Sequence, residues 1–310
     1  MRFRDITRTR TTCITASCGN HKFYSGTFAD SFAPQAGLLQ ATSGDFYGTT
    51  TYGGANGTGG TIFRITPSGT LTTLYNFCAQ SGCIDGQEPI AGLIQATNGD
   101  FYGTTYSGGA NNSGTVFKIT PGATLTTLYS FCAQSVCTDG AYPVAGLVQA
   151  TSGDLYGTTS GGGAGGANGA GTAFKITPNG TLTTLYSFGL TEGGYSPSSA
   201  LVQATNGDFY GTLYGGARYN LGTVFSLSVG LGPFVETLTT SGKVGAAVEI
   251  LGTDLTGATS VTFNGTAATF TVLSQTLITT TVPAGATTGT IQVVTPSATL
   301  LSNVPFRVLP

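Results

Sequence analysis

The six cysteines are the residues of this sequence whose spacing most clearly allows chemistry. They form three pairs, each with four residues between the partners: Cys13/Cys18, Cys78/Cys83 and Cys132/Cys137. Short, even pairing in loops rich in Gly and Ser favours three local disulfides and an oxidising compartment. Two alternatives stay open, namely free thiols and a metal site formed where the second and third pairs meet between neighbouring repeats.

A recurring acidic residue raises the question of calcium binding. One Asp follows Ser-Gly or Asn-Gly in each of four repeats: Asp45, Asp100, Asp154 and Asp208. Calcium loops gather several carboxylates, whereas a single Asp after such a dipeptide is ordinary turn chemistry. The sequence therefore predicts a structural Asp, no metal and no cofactor. Arg64, Lys118 and Lys175 recur in the same way, and we expect them to face solvent.

Residues for acid–base catalysis are scarce. His21 is the single histidine, so any triad with a histidine base depends on one residue in a poorly patterned segment. A glycosidase needs only two carboxylates, but the sequence marks no such pair. We predict a protein without enzymatic activity, and a carbohydrate-active hydrolase on the same scaffold is the alternative.

The composition is that of an all-β protein. Charged residues make up 8% of the chain and Gly accounts for 49 of 310 residues, while Thr, Val and aromatic residues, which favour strands, are abundant. A net charge of −2 with 11 basic residues gives no electrostatic surface for nucleic acid. The uncharged stretch 255–306 is interrupted by Thr, Ser, Gly and Asn, so no transmembrane segment is expected.

Four tandem repeats determine the predicted architecture. They carry the segments GLLQATSGDFYGTT, GLIQATNGDFYGTT, GLVQATSGDLYGTT and ALVQATNGDFYGTL, which begin at Gly37, Gly92, Gly146 and Ala200. In the second repeat, strand-like runs cover 91–97, 100–106, 115–120 and 124–131. Four short antiparallel strands in a repeat of about 54 residues are typical of a propeller blade. A flat solenoid is the competing arrangement.

The first and last repeats complement each other. The fourth repeat lacks the LTTLY run of a fourth strand, and HKFYSGTFADSF at residues 21–32 ends where such a strand should end. This segment could close a four-bladed ring without an open edge; the alternative is a fragment of a larger propeller. In residues 1–20 no apolar run follows the arginines, so either the protein is cytosolic or the true beginning of an exported chain lies upstream. The paired cysteines favour the second alternative.

The phrases GDFYGTT, VFKITP, TLTTLYSF and CAQSGC resemble the GloVer tandem repeat of bacterial secreted or surface-anchored proteins. The resemblance covers residues 21–228. It implies export and a repeat architecture, but no activity, because the function of that repeat is not known. A weaker similarity, to NHL-type propeller repeats, rests on the spacing of Gly, Gly, Tyr and Thr in each segment.

The C-terminal residues 231–310 resemble an IPT/TIG immunoglobulin-like domain. The resemblance rests on a Gly242–Gly252 hairpin, a strand and turn at Val261–Gly265, Val282-Pro283, and the closing Phe306-Arg307-Val308. Alternating strands between Gly, Asn and Pro turns independently indicate a small sandwich. Its core must consist of Val, Ile, Leu and Phe, because this part has no Cys or Trp. With two basic residues, it is expected to be a spacer or adhesive module rather than a DNA-binding one.

The predicted organisation is a poorly patterned segment 1–20, a propeller-like domain 21–230 and the immunoglobulin-like domain. The long, variable loops gather at one end of the blades, and loops on a rigid scaffold are where recognition usually lies. We predict a non-catalytic extracellular or cell-surface protein that binds a polysaccharide or protein. The candidate ligand-binding residues are Asp85, Glu88, Tyr106, Asn111, Asp139, Tyr142, Glu192, Tyr195, Arg218 and Tyr219.

Overall fold

The computed structural model describes residues 32–189, 194–216 and 221–310, and it is an all-β protein. Four sheets built from the tandem repeats form a propeller-like array, and a β-sandwich follows them. The fold class expected from the repeats and the composition is thereby confirmed. We call each sheet of the array a blade and number the blades along the chain.

Blades 1 to 3 each contain four strands. Blade 1 comprises β1 (Leu39–Gln40), β2 (Phe46–Thr50), β3 (Thr61–Ile65) and β4 (Leu71–Asn76). Blade 2 comprises β5 (Ile94–Gln95), β6 (Phe101–Thr105), β7 (Thr115–Ile119) and β8 (Leu125–Ser130). Blade 3 comprises β9 (Val148–Gln149), β10 (Leu155–Thr159), β11 (Thr172–Ile176) and β12 (Leu182–Ser187). Short 3-10 helices lie in the loops at Ser81–Cys83, Ser135–Cys137 and Gly166–Asn168.

Each of these blades is an antiparallel meander whose strands are ordered as in the chain. A tight turn joins the first two strands: in blade 2, Ala96 N donates to Asp100 O at 2.9 Å and Asn98 Oδ1 accepts from Asp100 N at 3.1 Å. A second tight turn joins the last two strands, where Thr120 N donates to Thr124 O at 3.0 Å. Both tight turns lie at one end of the blade, the turn end, and the long loops lie at the other, the loop end.

The first strand of a blade is shorter than the alternation of its sequence predicts. In blade 2, the expected strand over 91–97 is reduced to β5, and Gln87 makes a separate bridge to Ser107. Between the two, Glu88 has a positive φ of 57° and Pro89 has no N–H to donate. The hydrogen-bonded ladder is therefore interrupted at these two residues.

Blade 4 differs from the other three. It contains β13 (Tyr195–Pro197), β14 (Val202–Gln203), β15 (Phe209–Gly215) and β16 (Thr223–Leu227). β13 and β14 both pair with one edge of β15, as two separated parts of a first strand, and β16 pairs with the other edge. Among the described strands, none pairs with the outer edge of β16, which is the position of β4, β8 and β12 in blades 1 to 3.

The described part of the array is open. Blades 1 and 4 share no sheet among the described strands. The segment 21–32, which the sequence assigns to ring closure, lies outside the described residues except for Phe32, which bridges Tyr52 in blade 1. Closure of a four-bladed ring by this segment therefore stays a prediction.

Neighbouring blades pack face to face. We call the face of a blade toward the next blade its back face and the opposite face its front face. Tyr47 and Ile62 on the back of blade 1 share a buried cluster with Phe101 on the front of blade 2. The rings of Tyr47 and Phe101 stack at 4.1 Å, and those of Tyr156 and Phe209 stack at 4.3 Å between blades 3 and 4. Each large apolar side chain buried in this way contributes about 2 kcal/mol.

One glycine of the repeated GDFYGTT segment is required by this packing. A Cβ at Gly103 would lie 2.6 Å from the ring of Phe117 and 2.9 Å from Leu93, both on the front face of blade 2. The equivalent glycines of the other blades meet the equivalent Phe. The second strand must therefore lack a side chain at this point so that the third strand can place its ring across the face.

Side-chain amides also join the blades. Gln95 Oε1 of blade 2 accepts from Thr42 N of blade 1 at 2.8 Å, and Gln149 Oε1 of blade 3 accepts from Thr97 N of blade 2 at 2.9 Å. Blade 4 departs from this pattern, because the buried amide of Gln203 has no hydrogen-bond partner among the described residues. The third interface is thus less regular than the first two.

The C-terminal domain is a β-sandwich. Its strands are β17 (Glu236–Thr237), β18 (Ser241–Lys243), β19 (Ala247–Leu251), β20 (Ser260–Phe263), β21 (Thr266–Ala267), β22 (Phe270–Ser274), β23 (Leu277–Thr281), β24 (Ile291–Val294), β25 (Thr299–Leu301) and β26 (Arg307–Leu309). One sheet has the order β17-β19-β23-β22 and the other β21-β20-β24-β25. The buried core consists of Val, Ile, Leu and Phe, as the sequence predicts.

The hairpin predicted for Gly242–Gly252 is wrong. β18 pairs in parallel with β26, whereas β19 pairs with β17 and β23. A turn at Gly245, with φ of 84°, redirects the chain between them. Paired with β17 and β23, β19 places Val248 and Ile250 in the sandwich core.

Candidate functional site

Each blade is entered, at the loop end, through a residue in the left-handed region of φ. These residues are Ala33 (58°), Glu88 (57°), Tyr142 (58°) and Ser196 (56°), and each precedes a proline. The conformation costs a non-glycine residue about 1 to 2 kcal/mol, and glycine would avoid that cost. All four blades keep the conformation, and none of them places a glycine there.

Backbone hydrogen bonds fix this residue in place. Glu88 N donates at 2.9 Å to the carbonyl of Gly59, in the loop of the preceding blade, and Glu88 O accepts at 2.9 Å from Tyr106 N. In blade 3, Tyr142 N likewise bonds to the loop of blade 2, and Tyr142 O accepts from Ser160 N at 3.0 Å. The position is rigid because it is bonded both within its blade and to the neighbouring blade.

The side chains at this fixed position differ from blade to blade. So do those of the residues opposite them at the end of the second strand: Thr51, Tyr106, Ser160 and Tyr214. Tyr106 of blade 2 and Tyr142 of blade 3 have ring centroids 5.4 Å apart, so these side chains meet across a blade boundary. We call Glu88, Tyr106, Tyr142 and Ser160, all half-buried, the loop-end surface.

Three of these residues, Glu88, Tyr106 and Tyr142, were predicted from the loops of the sequence, and Ser160 was not. Ser160 could have been found by aligning the repeats, because the residue directly after the GDFYGTT segment varies while the residues of the segment recur. The same position holds Tyr214 in blade 4.

Asp85 and Asp139, also among the predicted ligand-binding residues, are fully buried beneath the cysteine loops. Asp139 Oδ2 accepts from Tyr129 Oη at 2.8 Å and from Ala133 N at 2.9 Å, and its Oδ1 accepts from Gln134 N at 3.2 Å. Asp85 makes the same three hydrogen bonds in blade 1. Each carboxylate therefore fixes the conformation of the cysteine loop that covers it.

The same loops are closed by the predicted disulfides Cys78–Cys83 and Cys132–Cys137. Burial and the adjacent carboxylate raise the pKa of the Tyr75 hydroxyl, beside Asp85, above its ordinary value. The pKa of Tyr129, beside Asp139, is raised for the same reasons, so both hydroxyls stay protonated as donors at neutral pH. The third predicted pair, Cys13 and Cys18, lies outside the described residues.

The remaining predicted residues fall into two groups. Asn111 is in the loop after β6, and its Nδ2 donates to Phe131 O at 3.0 Å, which anchors that loop. Tyr195 belongs to β13 and packs beside Leu213 in the apolar cluster between blades 3 and 4. The positions that lie outside the described residues are Glu192, Arg218 and Tyr219.

At the turn end, the recurring acidic and basic residues lie next to each other. The distances are 3.9 Å for Arg64–Asp45, 3.7 Å for Lys118–Asp100 and 3.6 Å for Lys175–Asp154. The sequence predicts a turn Asp and a solvent-facing cation; the structure places each cation, partly exposed on the third strand, beside the Asp that precedes the second strand. Within the described ranges, no three His, Cys, Asp or Glu residues are grouped as a metal site would require.

A cavity of about 430 Å³ lies between blades 3 and 4. It is lined by Tyr186 and Phe188 of blade 3, by Phe225 and its neighbours on β16, and by no charged side chain among the described residues. Its described lining is mainly apolar, with Thr223 and Ser226 among the polar residues. In the described part of the chain, no helix is long and apolar enough to span a membrane.

Comparison with known families agrees with the repeats of the structure. Residues 14–225 match the Gloeobacter/Verrucomicrobia repeat, and a second, overlapping match covers 138–268. This chain belongs to that repeat family. Residues 233–308 match the IPT/TIG domain, so both resemblances drawn from the sequence are confirmed. A search of curated proteins found no match.

The similarities found among solved structures are distant. A luciferin-regenerating enzyme is 13% identical with a TM-score of 0.41, and the match covers 64% of this chain and 62% of the enzyme. A protein described as a putative gluconolactonase is 14% identical with a TM-score of 0.40, over 89% of this chain and 92% of its own. The periplasmic gluconolactonase of Pseudomonas aeruginosa is 14% identical with a TM-score of 0.39, over 87% and 80%.

Proposed function

We propose that this protein is a non-catalytic extracellular or cell-surface binding protein that recognises a polysaccharide or a protein with the loop end of its blades. The propeller-like domain, residues 21–230, carries the recognition surface. The immunoglobulin-like domain, residues 231–310, serves as a spacer that holds it away from the cell.

The observation that carries this proposal is a fixed backbone with varied side chains. The left-handed residue before each proline is Ala, Glu, Tyr or Ser in otherwise similar repeats. A packing requirement alone would favour glycine there, since glycine relieves the strain. Strained positions that a fold nevertheless maintains are common at functional sites, and four such positions at one end of an array provide a varied surface on a rigid frame.

The chemistry of the loop-end surface suits a sugar or a peptide. Tyr106 and Tyr142 offer flat apolar rings with hydroxyl tips, and their tilted arrangement makes one continuous patch. Glu88 adds a carboxylate next to Tyr106, to which its backbone is bonded. A ligand with both apolar faces and hydroxyl or amide groups matches this combination.

The proposed location rests on the disulfides. Two short loops are crosslinked in the described residues, and such bonds persist mainly in oxidising compartments. Intact-mass measurement of the exported protein, with and without a reductant, tests this part. Complete alkylation of the thiols without reductant would contradict it.

The test of function uses the whole chain on a glycan array and on immobilised extracellular proteins, together with a reducing-sugar release assay. We expect binding without product release. Tyr106→Ala and Tyr142→Ala should each weaken binding about tenfold, the loss expected for a central aromatic contact. Matched substitutions at the turn end, Asn98→Ala and Asn206→Ala, should leave binding unchanged.

Two outcomes would overturn the proposal. Weaker binding in the turn-end variants, with unchanged binding in the tyrosine variants, would mean that the turn end, and not the loop end, binds the ligand. Release of product that a single carboxylate substitution abolishes would make the protein a hydrolase.

A further inference from the structure

Three tight turns at the turn end contain Asn followed by Gly. The steps are Asn98-Gly99 in blade 2, Asn179-Gly180 in blade 3 and Asn206-Gly207 in blade 4, and all three Asn residues are exposed. An Asn side chain can react with the backbone nitrogen of the next residue, and glycine, which has no side chain, obstructs that approach least. The three turns are therefore candidate sites of the same chemical modification.

The backbone is the same in all three turns. The residue two positions before Asn donates its N–H to the carbonyl two positions after Asn, at 2.8 to 3.0 Å; in blade 3 these residues are Thr177 and Thr181. The glycine N–H of each turn donates to the carbonyl of that first residue, at 2.8 to 2.9 Å. Each glycine has a φ between 87° and 99°. A difference in reactivity between the turns must therefore come from the side chains.

The Asn side chain is hydrogen-bonded in two of the turns and not in the third. Asn98 Oδ1 accepts from Asp100 N at 3.1 Å, the Asn of blade 4 makes the equivalent bond at 3.1 Å, and the amide nitrogen of each also donates at 2.9 Å. In the turn of blade 3, the hydroxyl of Thr177 accepts the equivalent N–H, that of Thr181, at 3.1 Å. Asn179 consequently has no side-chain hydrogen bond to any part of the chain that the structure describes.

We propose that Asn179 is a site of spontaneous deamidation and that it reacts ahead of Asn98 and Asn206. The Gly180 nitrogen attacks Cγ of Asn179 and loses its proton to a solvent base, and the new N–Cγ bond closes a cyclic imide. The amide nitrogen takes up a proton from solvent and leaves as ammonia. Water then opens the imide at one of its two carbonyl carbons, which gives aspartate or isoaspartate. A hydrogen-bonded Asn must first break its bonds to reach this geometry, and Asn179 need not.

The two products should differ in their effect on blade 3. Isoaspartate adds a methylene group to the backbone between Thr177 and Thr181, and both backbone hydrogen bonds of the turn are made across this segment. Gly180 also lies close to blade 2, since a Cβ at this residue would be 2.7 Å from Leu128 O. Isoaspartate should therefore disturb the turn and its contact with blade 2, whereas aspartate changes the charge and leaves the backbone as it is.

Ageing of the whole chain at mildly alkaline pH, followed by peptide mapping, tests the order of the sites. Trypsin releases Asn179 and Asn206 in one peptide, residues 176–218, so the two are compared within a single sample. Asn179 should convert about fivefold faster or more than Asn206 and Asn98, which is the change in rate that one ordinary hydrogen bond corresponds to. Equal or slower conversion of Asn179 would overturn the proposal.

Thr177→Val tests the cause of the difference. It removes the hydroxyl that accepts the Thr181 N–H, so Asn179 can accept this N–H as Asn98 accepts its own, and deamidation should slow several-fold. The matched control is Thr66→Val in blade 1, where the same hydroxyl accepts from Thr70 N at 3.0 Å; the rate at Asn179 should not change. A turn that is merely loosened would react faster, so an unchanged or faster rate in Thr177→Val would refute the assigned cause.

The consequence for stability is measured on the aged protein. Ion-exchange chromatography separates the deamidated chains, and Asn179→Asp supplies the aspartate form without ageing. Urea unfolding should give a lower midpoint for the isoaspartate form than for Asn179→Asp, whose midpoint should match that of the unsubstituted protein. Equal midpoints for the two deamidated forms would show that the added methylene group does not disturb the turn, and this part of the proposal would be wrong.

Discussion

The connection from blade 2 to blade 3 and the connection from blade 3 to blade 4 both lead the chain from one packed blade to the next, but they differ in structure. Both start from a phenylalanine that packs on the next blade: Phe131 lies 5.2 Å from the ring of Phe174, and Phe188 lies 4.9 Å from that of Phe225. After Phe131 the chain forms a disulfide loop over a buried Asp139. No cysteine follows Phe188 before blade 4.

The difference teaches that the blade interface and the cysteine loop are separate devices. The aromatic pair between blades is present with or without the loop. The tyrosine two residues earlier does depend on the loop: Tyr129 donates to Asp139, whereas Tyr186 at the same position of blade 3 is 46% exposed. The loop therefore stabilises its own connection and covers the edge of its blade.

The largest effect should come from removing the buried carboxylate. Asp139→Ala leaves two backbone N–H groups and the Tyr129 hydroxyl without their acceptor beneath the loop. Hydrogen bonds to a charged group, and the cost of leaving buried donors unpaired, give an expected loss of about 3 kcal/mol in the free energy of unfolding. Urea unfolding followed by tyrosine fluorescence measures it.

The control for this substitution is another aspartate of the same blade array. Asp154→Ala removes an ion pair with Lys175 that is partly exposed to solvent, so it should cost less than about 1 kcal/mol. Equal losses for the two variants would mean that Asp139 is no more than a surface charge. The connection with the loop would then not differ in kind from the connection without it.

How far the sequence could predict the molecule is clear from these residues. Repeats, strands and cysteine pairs follow from local patterns, because turn residues and alternation act over a few positions. The burial of Asp85 and Asp139 does not, since an acidic residue in a Gly-rich loop normally faces water. The sequence does contain a signal for this burial. Each of these Asp residues lies two positions after the second cysteine of its pair, and the connection without cysteines, residues 189–194, contains no Asp. Glu88 and Tyr142 are predicted as loop residues, but their left-handed backbone conformation is not, because hydrogen bonds to the neighbouring blade help to impose it.

A smaller effect should follow from removing the disulfide of the same loop. The double variant Cys132→Ser, Cys137→Ser opens a crosslink between residues five positions apart. A loop of this size constrains the unfolded chain little, so the expected loss is about 2 kcal/mol. The three hydrogen bonds of Asp139 should keep the loop folded, as its hydrogen-exchange protection can show. A loss larger than that of Asp139→Ala would reverse the order of the two devices.

The smallest expected effect concerns the one residue at which the two cysteine loops differ, and it is a gain of stability rather than a loss. Their sequences, CAQSGC and CAQSVC, differ at one position, where Gly82 has φ of 73° and Val136 has φ of 50°. A β-branched residue is strained there, and Val136 gains little from packing because it is 68% exposed. Val136→Gly should therefore stabilise the protein by about 1 kcal/mol, the left-handed cost less the entropy of glycine.

The reverse substitution completes the test, because the site at Gly82 has room for a side chain. A Cβ there would meet only Ile84, at 4.0 Å, so Gly82→Val changes the backbone strain and almost nothing else. It should destabilise the protein by about the amount that Val136→Gly gains. The urea midpoints of the two variants should thus move in opposite directions. A fall of both midpoints would mean that the loops do not share one backbone conformation in solution, and the equivalence of the two crosslinked connections would fail.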